Sequence, residues 1–348
     1  MMKERNVIFT LLVASLFLST CKDNGNPING DKPPSDTTKP PCPPIRIVAL
    51  SPYGSPVWDP SAQFIGFNHT PLERIEYPYG EHCQGTYVWK FDSTGFWLIN
   101  ADGSNMRRVF PYPLGELAWS SDRQWIAFGF DAQIYKMRFT GITFDTTTTV
   151  QLTFEGRNFF PAWSPDRLWI AYDNTVCGNA FEPPPTNSCG LLVMRNDGTG
   201  RRFLLRGRMP DWTPDGVYLT YVGLWSEIYR VKVSDTSEVV RLTSFNQTNP
   251  YASDNRNPRC SPDGTKIAFA SQPLNGRGDI WVMNADGSNT RQLTTEGTTD
   301  WLSWSPDGKK IAYVSYRATD WNYANGTIWV INIVTGEKVQ LTFNPPPQ

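Results

Sequence analysis

Short runs of β-branched and aromatic residues alternate with turn clusters along most of this chain. The clearest period runs from Thr298 to Thr342. It reads Trp304-Ser305-Pro306-Asp307-Gly308, then Lys310-Ile311-Ala312-Tyr313, then Thr327-Ile328-Trp329-Val330-Ile331-Asn332, then Val339-Gln340-Leu341-Thr342. An aromatic before a Pro-Asp-Gly turn, followed by three more apolar runs, predicts four antiparallel strands in about 45 residues, the length at which propeller blades repeat. The aromatic recurs at Trp58, Trp119, Trp163 and Trp212, and a sixth copy carries Cys260 in its slot. Second-strand runs follow each mark, as in Trp125-Ile126-Ala127-Phe128, Trp169-Ile170-Ala171-Tyr172 and Ile267-Ala268-Phe269. Third strands end in Asn100-Ala101-Asp102-Gly103, Asn196-Asp197-Gly198 and Asn284-Ala285-Asp286-Gly287, where Asp-Gly supplies the positive φ of a hairpin. Fourth strands close at Gln151-Leu152-Thr153, Arg241-Leu242-Thr243, Gln292-Leu293-Thr294 and Gln340-Leu341-Thr342. Units that cannot bury their faces singly must stack, and four antiparallel strands per unit favour a closed ring. The expected fold is all-β, a six-bladed β-propeller of four-stranded antiparallel blades.

This wording, W-S-P-D-G, I-A-F/Y, I-W-V-M-N-A-D-G and R-Q-L-T, resembles the TolB-type (WD40-like, PD40) propeller repeat over roughly residues 46 to 343. The matching residues are scaffold, so the resemblance speaks to fold first. It implies a protein-binding propeller in the bacterial envelope. The α/β domain that precedes the propeller in TolB has no counterpart here, so a role that needs that domain does not carry over.

Residues 1–20 read as a signal peptide: Lys3, Glu4 and Arg5 precede an apolar run from Val7 to Leu18, too short to span a bilayer. The run stops at Leu18-Ser19-Thr20-Cys21, which resembles the bacterial lipobox, with Thr20 where Gly, Ala or Ser is usual. The resemblance implies cleavage before Cys21 and its lipidation; the alternative is a secreted soluble protein with an incidental cysteine. Lys22 does not resemble an inner-membrane retention signal, which points to the outer membrane, with the propeller facing either the periplasm or the surface. Residues 21–44 are Pro-, Asn- and Thr-rich and nearly devoid of hydrophobics, a composition that stays disordered. They form a tether, and 45–348 form the propeller. The strand-like Ile45 to Leu50 and the run Val339 to Thr342 compete to close the ring.

Charge changes the picture little. Lys+Arg 32 against Asp+Glu 33 gives a net charge of −1, and without a basic run nothing favours nucleic acid. Contact with a membrane is expected through the lipid anchor only. Six cysteines are present, and an oxidising compartment favours pairing. Cys177 and Cys189 bracket a Pro-rich insertion between adjacent strands and form one candidate disulfide; Cys42 and Cys83 form another. Cys260 reads as a buried free thiol.

No catalytic constellation is found. The two histidines, His69 and His82, do not make a His-rich metal centre. No Gly-x-Ser-x-Gly elbow or phosphate loop occurs, no metal-ligand spacing stands out, and no cofactor is expected. The Asp residues of the repeats belong to turns. Loops between second and third strands vary most, notably Asn68 to Thr94, Asp173 to Gly190 and Ser315 to Gly326. They share one propeller face with the connections between blades, the usual place for binding loops on a rigid scaffold. The candidate contact face on that side comprises Phe159, Phe160, Arg208, Tyr251, Arg256, Asp300, Trp301, Tyr316, Trp321 and Tyr323. Aromatics mixed with Arg suit a protein partner. Aromatic platforms beside acids suit a carbohydrate, the alternative ligand, whose cleavage needs carboxylates facing one another across a cleft.

Overall fold

Six four-stranded antiparallel sheets follow one another along the chain in a computed structural model that describes residues 53–76, 86–175, 189–244, 253–273, 278–316 and 326–343. In every sheet the strands lie in sequence order. Among the described residues, blade 1 alone carries a second hairpin, Leu72–Glu76 with Thr86–Trp89, between its second and third strands. The innermost strands are Tyr53–Trp58, Gly115–Trp119, Asn158–Trp163, Arg208–Trp212, Ser253–Cys260 and Thr299–Trp304. All five register tryptophans, and Cys260, are the last residue of such a strand.

The second strands show why these stretches read as unbroken apolar runs. In Trp169–Asn174, Ile170 and Tyr172 pack against Ala127, Ile134 and Leu152 of blade 2. Ala171, pointing the other way, joins Leu191, Val193, Trp212, Leu219 and Tyr221 between blades 3 and 4. A strand covered on both faces has no polar side to alternate with. The same wedge closes the ring: Tyr53, Trp58 and Ile65 of blade 1 pack with Ala312, Val314, Ile328 and Leu341 of blade 6. Trp58 N donates to Ser303 Oγ at 3.0 Å, and Tyr53 N to Gly326 O at 3.2 Å. The fourth strand of blade 6, Lys338–Gln340, pairs inside its own sheet, whereas Ile45 to Leu50 lies outside the described residues.

The repeated polar letters are structural. In the blade 5 turn, Ser261 Oγ donates to Asp263 Oδ1 (2.6 Å) and accepts from Lys266 N (2.9 Å), while Asp263 Oδ1 accepts from Thr265 N (3.0 Å). Ser120, Ser164 and Ser305 repeat the arrangement. Likewise the closing threonines Thr153, Thr243, Thr294 and Thr342 accept the N–H of Ile134, Ile228, Ile280 and Ile328 through Oγ1 at 2.8–2.9 Å. Asp102, Asp197 and Asp286 each bind the hydroxyl and N–H of the Ser or Thr two residues on, which holds their carboxyls below the usual range. Ser261→Ala strips a 2 %-exposed hydroxyl from two bonds. It is expected to lower stability by about 1–2 kcal/mol in urea unfolding; a change within about 0.3 kcal/mol would show that the backbone alone holds the turn.

Candidate functional site

Every innermost strand is interrupted by a β-bulge, and the bulges build the axis. Register shifts fall between Gly54 and Val57, Gly115 and Ala118, Phe159 and Ala162, Arg208 and Asp211, Arg256 and Arg259, and Asp300 and Leu302. Inside each shift sits one left-handed residue: Ser55, Glu116, Phe160, Met209, Asn257 or Trp301, with φ between 35° and 55°. A bulge lifts that residue's N–H out of the ladder, and a buried N–H needs another acceptor. Glu116 of blade 2 takes the Phe160 N–H of blade 3. Asp173 Oδ2 of blade 3 takes the Met209 N–H of blade 4 at 2.8 Å. Met209 Sδ receives the Asn257 N–H at 3.5 Å, and Asp300 Oδ1 its neighbouring Trp301 N–H at 2.7 Å.

Phe160 and Trp301 stack with ring centroids 6.1 Å apart and planes 12° from parallel. Blades 3 and 6 stand opposite in a ring of six, so these two rings span the axis and divide it. On the side of the variable loops, charges chain together. Arg208 Nη2 binds Asp254 Oδ1 at 3.0 Å, Arg256 binds Asp254 Oδ2 at 2.6 Å, and Arg256 Nη1 lies 3.9 Å from Asp300 Oδ2. Burial opposes ionisation of Asp254, but the Ser226 hydroxyl and the Arg256 and Arg208 guanidiniums hold its carboxyl below the usual range. On the turn side of the ring, residues from all six blades enclose a cavity of about 360 Å³.

Three acids near the axis break the pattern. Burial raises Glu116 against the pull of the Phe160 N–H and Arg259. Burial, reinforced by the Glu116 charge and opposed by the Met209 N–H and Arg208, pushes Asp173 up to about 7. Asp173 is 1 % exposed, and its Oδ1 has no hydrogen-bond partner among the described residues. Asp300 is also raised by burial. Among the described residues, no group of three or more His, Cys, Asp or Glu is placed to hold a metal.

Of the ten candidate contact residues, Phe160, Arg208, Arg256, Asp300 and Trp301 come together at the axial mouth. Phe159 lies beside them, its ring under the Arg157 guanidinium at 6.0 Å. Tyr316 packs instead on the cluster between blades 6 and 1. Tyr251, Trp321 and Tyr323 lie outside the described residues, as do Cys21, Cys42, Cys83 and Cys177. Cys189 is disulfide-bonded, its bond partner outside the described residues. Cys260 is free and half-buried; burial drives its thiol far up, with Asp211 adding to the effect and Thr220 Oγ1 lying 3.5 Å away. Sequence reasoning missed Glu116, Asp173, Asp211 and Arg259. A signal existed for Asp173: its slot in the second strand holds Val222, Ala270 and Val314 in blades 4 to 6.

A family model for the TolB beta propeller domain (PD40) matches residues 182–345. An uncharacterized protein of Agrobacterium fabrum is 34% identical over 228 residues, which cover 64% of this chain and 73% of that protein. Among solved structures, TolB from Acinetobacter baumannii superposes with a TM-score of 0.56 at 18% identity, covering 83% of this chain and 62% of that one. An oligogalacturonate lyase in complex with manganese superposes at 0.51 with 12% identity, over 85% of this chain and 78% of the lyase. At these identities the two structural likenesses carry the fold alone.

Proposed function

Because this chain belongs to the TolB-type β-propeller family, we propose that it is a non-enzymatic protein-binding scaffold of the bacterial cell envelope, held at the outer membrane by a lipid on Cys21. The observation that carries the reading is the loop-side mouth of the axis. There, half-buried Trp301 and Phe160 adjoin the ion-paired Arg208, Asp254, Arg256 and Asp300. Aromatic and Arg side chains on a rigid rim are the residue types that dominate protein hot spots. Fixed by neighbouring carboxylates, the guanidiniums lose little further freedom when a partner docks. The Pro-rich stretch 21–44 supplies reach, and a Cys177–Cys189 disulfide staples the base of the blade 3 insertion. That pairing is supported by the bonded state of Cys189.

Crosslinking and pull-down from native envelopes with the full-length lipidated chain tests this reading. One stoichiometric protein partner is expected, with recovery falling about 10- to 100-fold in Trp301→Ala/Arg256→Ala, the effect of losing one or two hot-spot side chains. Equal recovery by the variant would move the contact elsewhere, and recovery of no protein would sink the scaffold reading. The second reading, a carbohydrate-binding or polysaccharide-cleaving propeller, is favoured by one observation. Glu116 is half-buried and Asp173 buried, and they are close enough for the charge of the first to raise the second. Each carboxylate already serves a bulge N–H, so the pair has a structural occupation that needs no substrate.

A further inference from the structure

The turn-side cavity of about 360 Å³ plays no part in the scaffold reading. It begins just below the bulge ring, and its mouth is framed by residues of the first turns, among them Pro60, Pro262 and Pro306. Neither Phe160 nor Trp301 belongs to its lining. Its volume falls in the lower part of the range for small-molecule sites, about 300–1,000 Å³. The wall mixes polar and apolar groups, and four tryptophans contribute to it: Trp58, Trp119, Trp163 and Trp304 from blades 1, 2, 3 and 6.

Among the described residues one cation lines the cavity, Arg259 on the innermost strand of blade 5. Its hydrogen bonding is slight, a single 3.4 Å bond from Nη1 to the carbonyl of Pro258. It belongs to none of the ion pairs among the described residues. A guanidinium offers five N–H donors in a planar fork that matches a carboxylate bidentately. The acid sharing the cavity, Asp211, is engaged elsewhere: its Oδ2 accepts the Cys260 N–H at 2.8 Å.

We propose that this cavity binds a small organic carboxylate with a planar apolar body, the carboxylate gripped by Arg259 and the body seated against Trp119, Trp163 and Trp304. The site lies on the face opposite the proposed protein contact and stands independently of it. The titratable groups facing Arg259 and Asp211 are Glu116 on blade 2 and Cys260 on blade 5; Asp215, in the first turn of blade 4, acts on Cys260. The Cys260 thiol stays neutral. Burial pushes Asp211 up to about 6 against the pull of Arg259 and the Cys260 N–H. Its ionisation adds a negative charge beside the bound anion, so affinity falls as pH rises through that value.

Isothermal titration of the full-length chain in detergent with cinnamate, and with uncharged cinnamamide, tests the proposal. Cinnamate is expected to bind about 10- to 100-fold more tightly than the amide, the effect of charge-assisted bonds to one guanidinium. Arg259→Gln should remove that preference, and Asp211→Asn should abolish the decline in cinnamate affinity between pH 5 and about 8. Equal affinity for acid and amide in the unmodified protein, or no heat from either, overturns the proposal without reference to any variant. An unchanged preference in a folded Arg259→Gln protein overturns it as well.

Discussion

Trp212→Ala is expected to lower the unfolding free energy by about 3–5 kcal/mol, the range for truncating a large aromatic in a packed core. Trp212 is 8 % exposed and wedges between blades 3 and 4 among Ala162, Ala171, Leu191, Leu219 and Tyr221. Its indole Nε1 donates to Ala162 O of the neighbouring blade at 3.1 Å. The substitution therefore opens a cavity and leaves a buried carbonyl short of a partner in one step. Both effects fall on a junction between blades, and a closed ring transmits them, so the single transition is expected to move as a whole. Guanidinium unfolding followed by circular dichroism measures the change. Trp225→Ala, at a residue 56 % exposed, serves as the comparison and is expected to stay within about 0.5 kcal/mol. A loss below about 1 kcal/mol for Trp212→Ala would show that the blade junction relaxes around the gap and that the register tryptophans are not what joins the blades.

The blades are legible in the sequence because each repeats a local rule. A tryptophan ends the innermost strand, a serine and an aspartate satisfy the turn that follows from within five residues, and a threonine closing the fourth strand of four blades caps the third strand of its own blade. Even Cys260, which breaks the rule, announces its slot through Ser261-Pro262-Asp263-Gly264. The axis is less legible. Phe160 and Trp301 stand far apart in the chain and meet only because closure sets blade 3 against blade 6. Their backbone conformation gives no warning either, since a left-handed φ is ordinarily read from Gly, Asn or Asp, and here it falls on Phe160, Met209 and Trp301. Once six bulges lift six amides toward one axis, acceptors must come from outside the ladder; Asp300 serves its own blade, and Glu116 and Asp173 serve the next one. A single strand cannot reveal that need. Phe160, Arg208, Arg256, Asp300 and Trp301 stand where connections enter the innermost strands. Those entries converge on one mouth, whereas Tyr316, drawn from a variable loop, is taken up by packing.

Asp173→Asn is expected to stabilise the protein by about 2–4 kcal/mol at pH 8 and to leave it nearly unchanged at pH 4, a tenfold difference in proton affinity between the folded and unfolded chain being worth about 1.36 kcal/mol. The sign follows from where the proton sits. Burial raises the folded carboxyl to about 7, well above the ordinary aspartate value of 3.8. Between those two values the folded state holds a proton that the unfolded state has released. Stability therefore falls as pH rises through the window and is flat above it, because a buried charge is then being carried. Asn keeps a carbonyl oxygen for the Met209 N–H and has no charge to carry. The difference between the two proteins should grow from about pH 4 to 7 and then level off, in unfolding curves taken across that range. Loss of the Asp173 charge also eases ionisation of Glu116, which it faces, so a small part of the gain belongs to that neighbour. Parallel stability curves for the two proteins would mean that Asp173 is ionised or solvated throughout, and that water reaches the bulge ring. If the gain appears, the chain carries an acid that destabilises it at neutral pH at the mouth of its own axis.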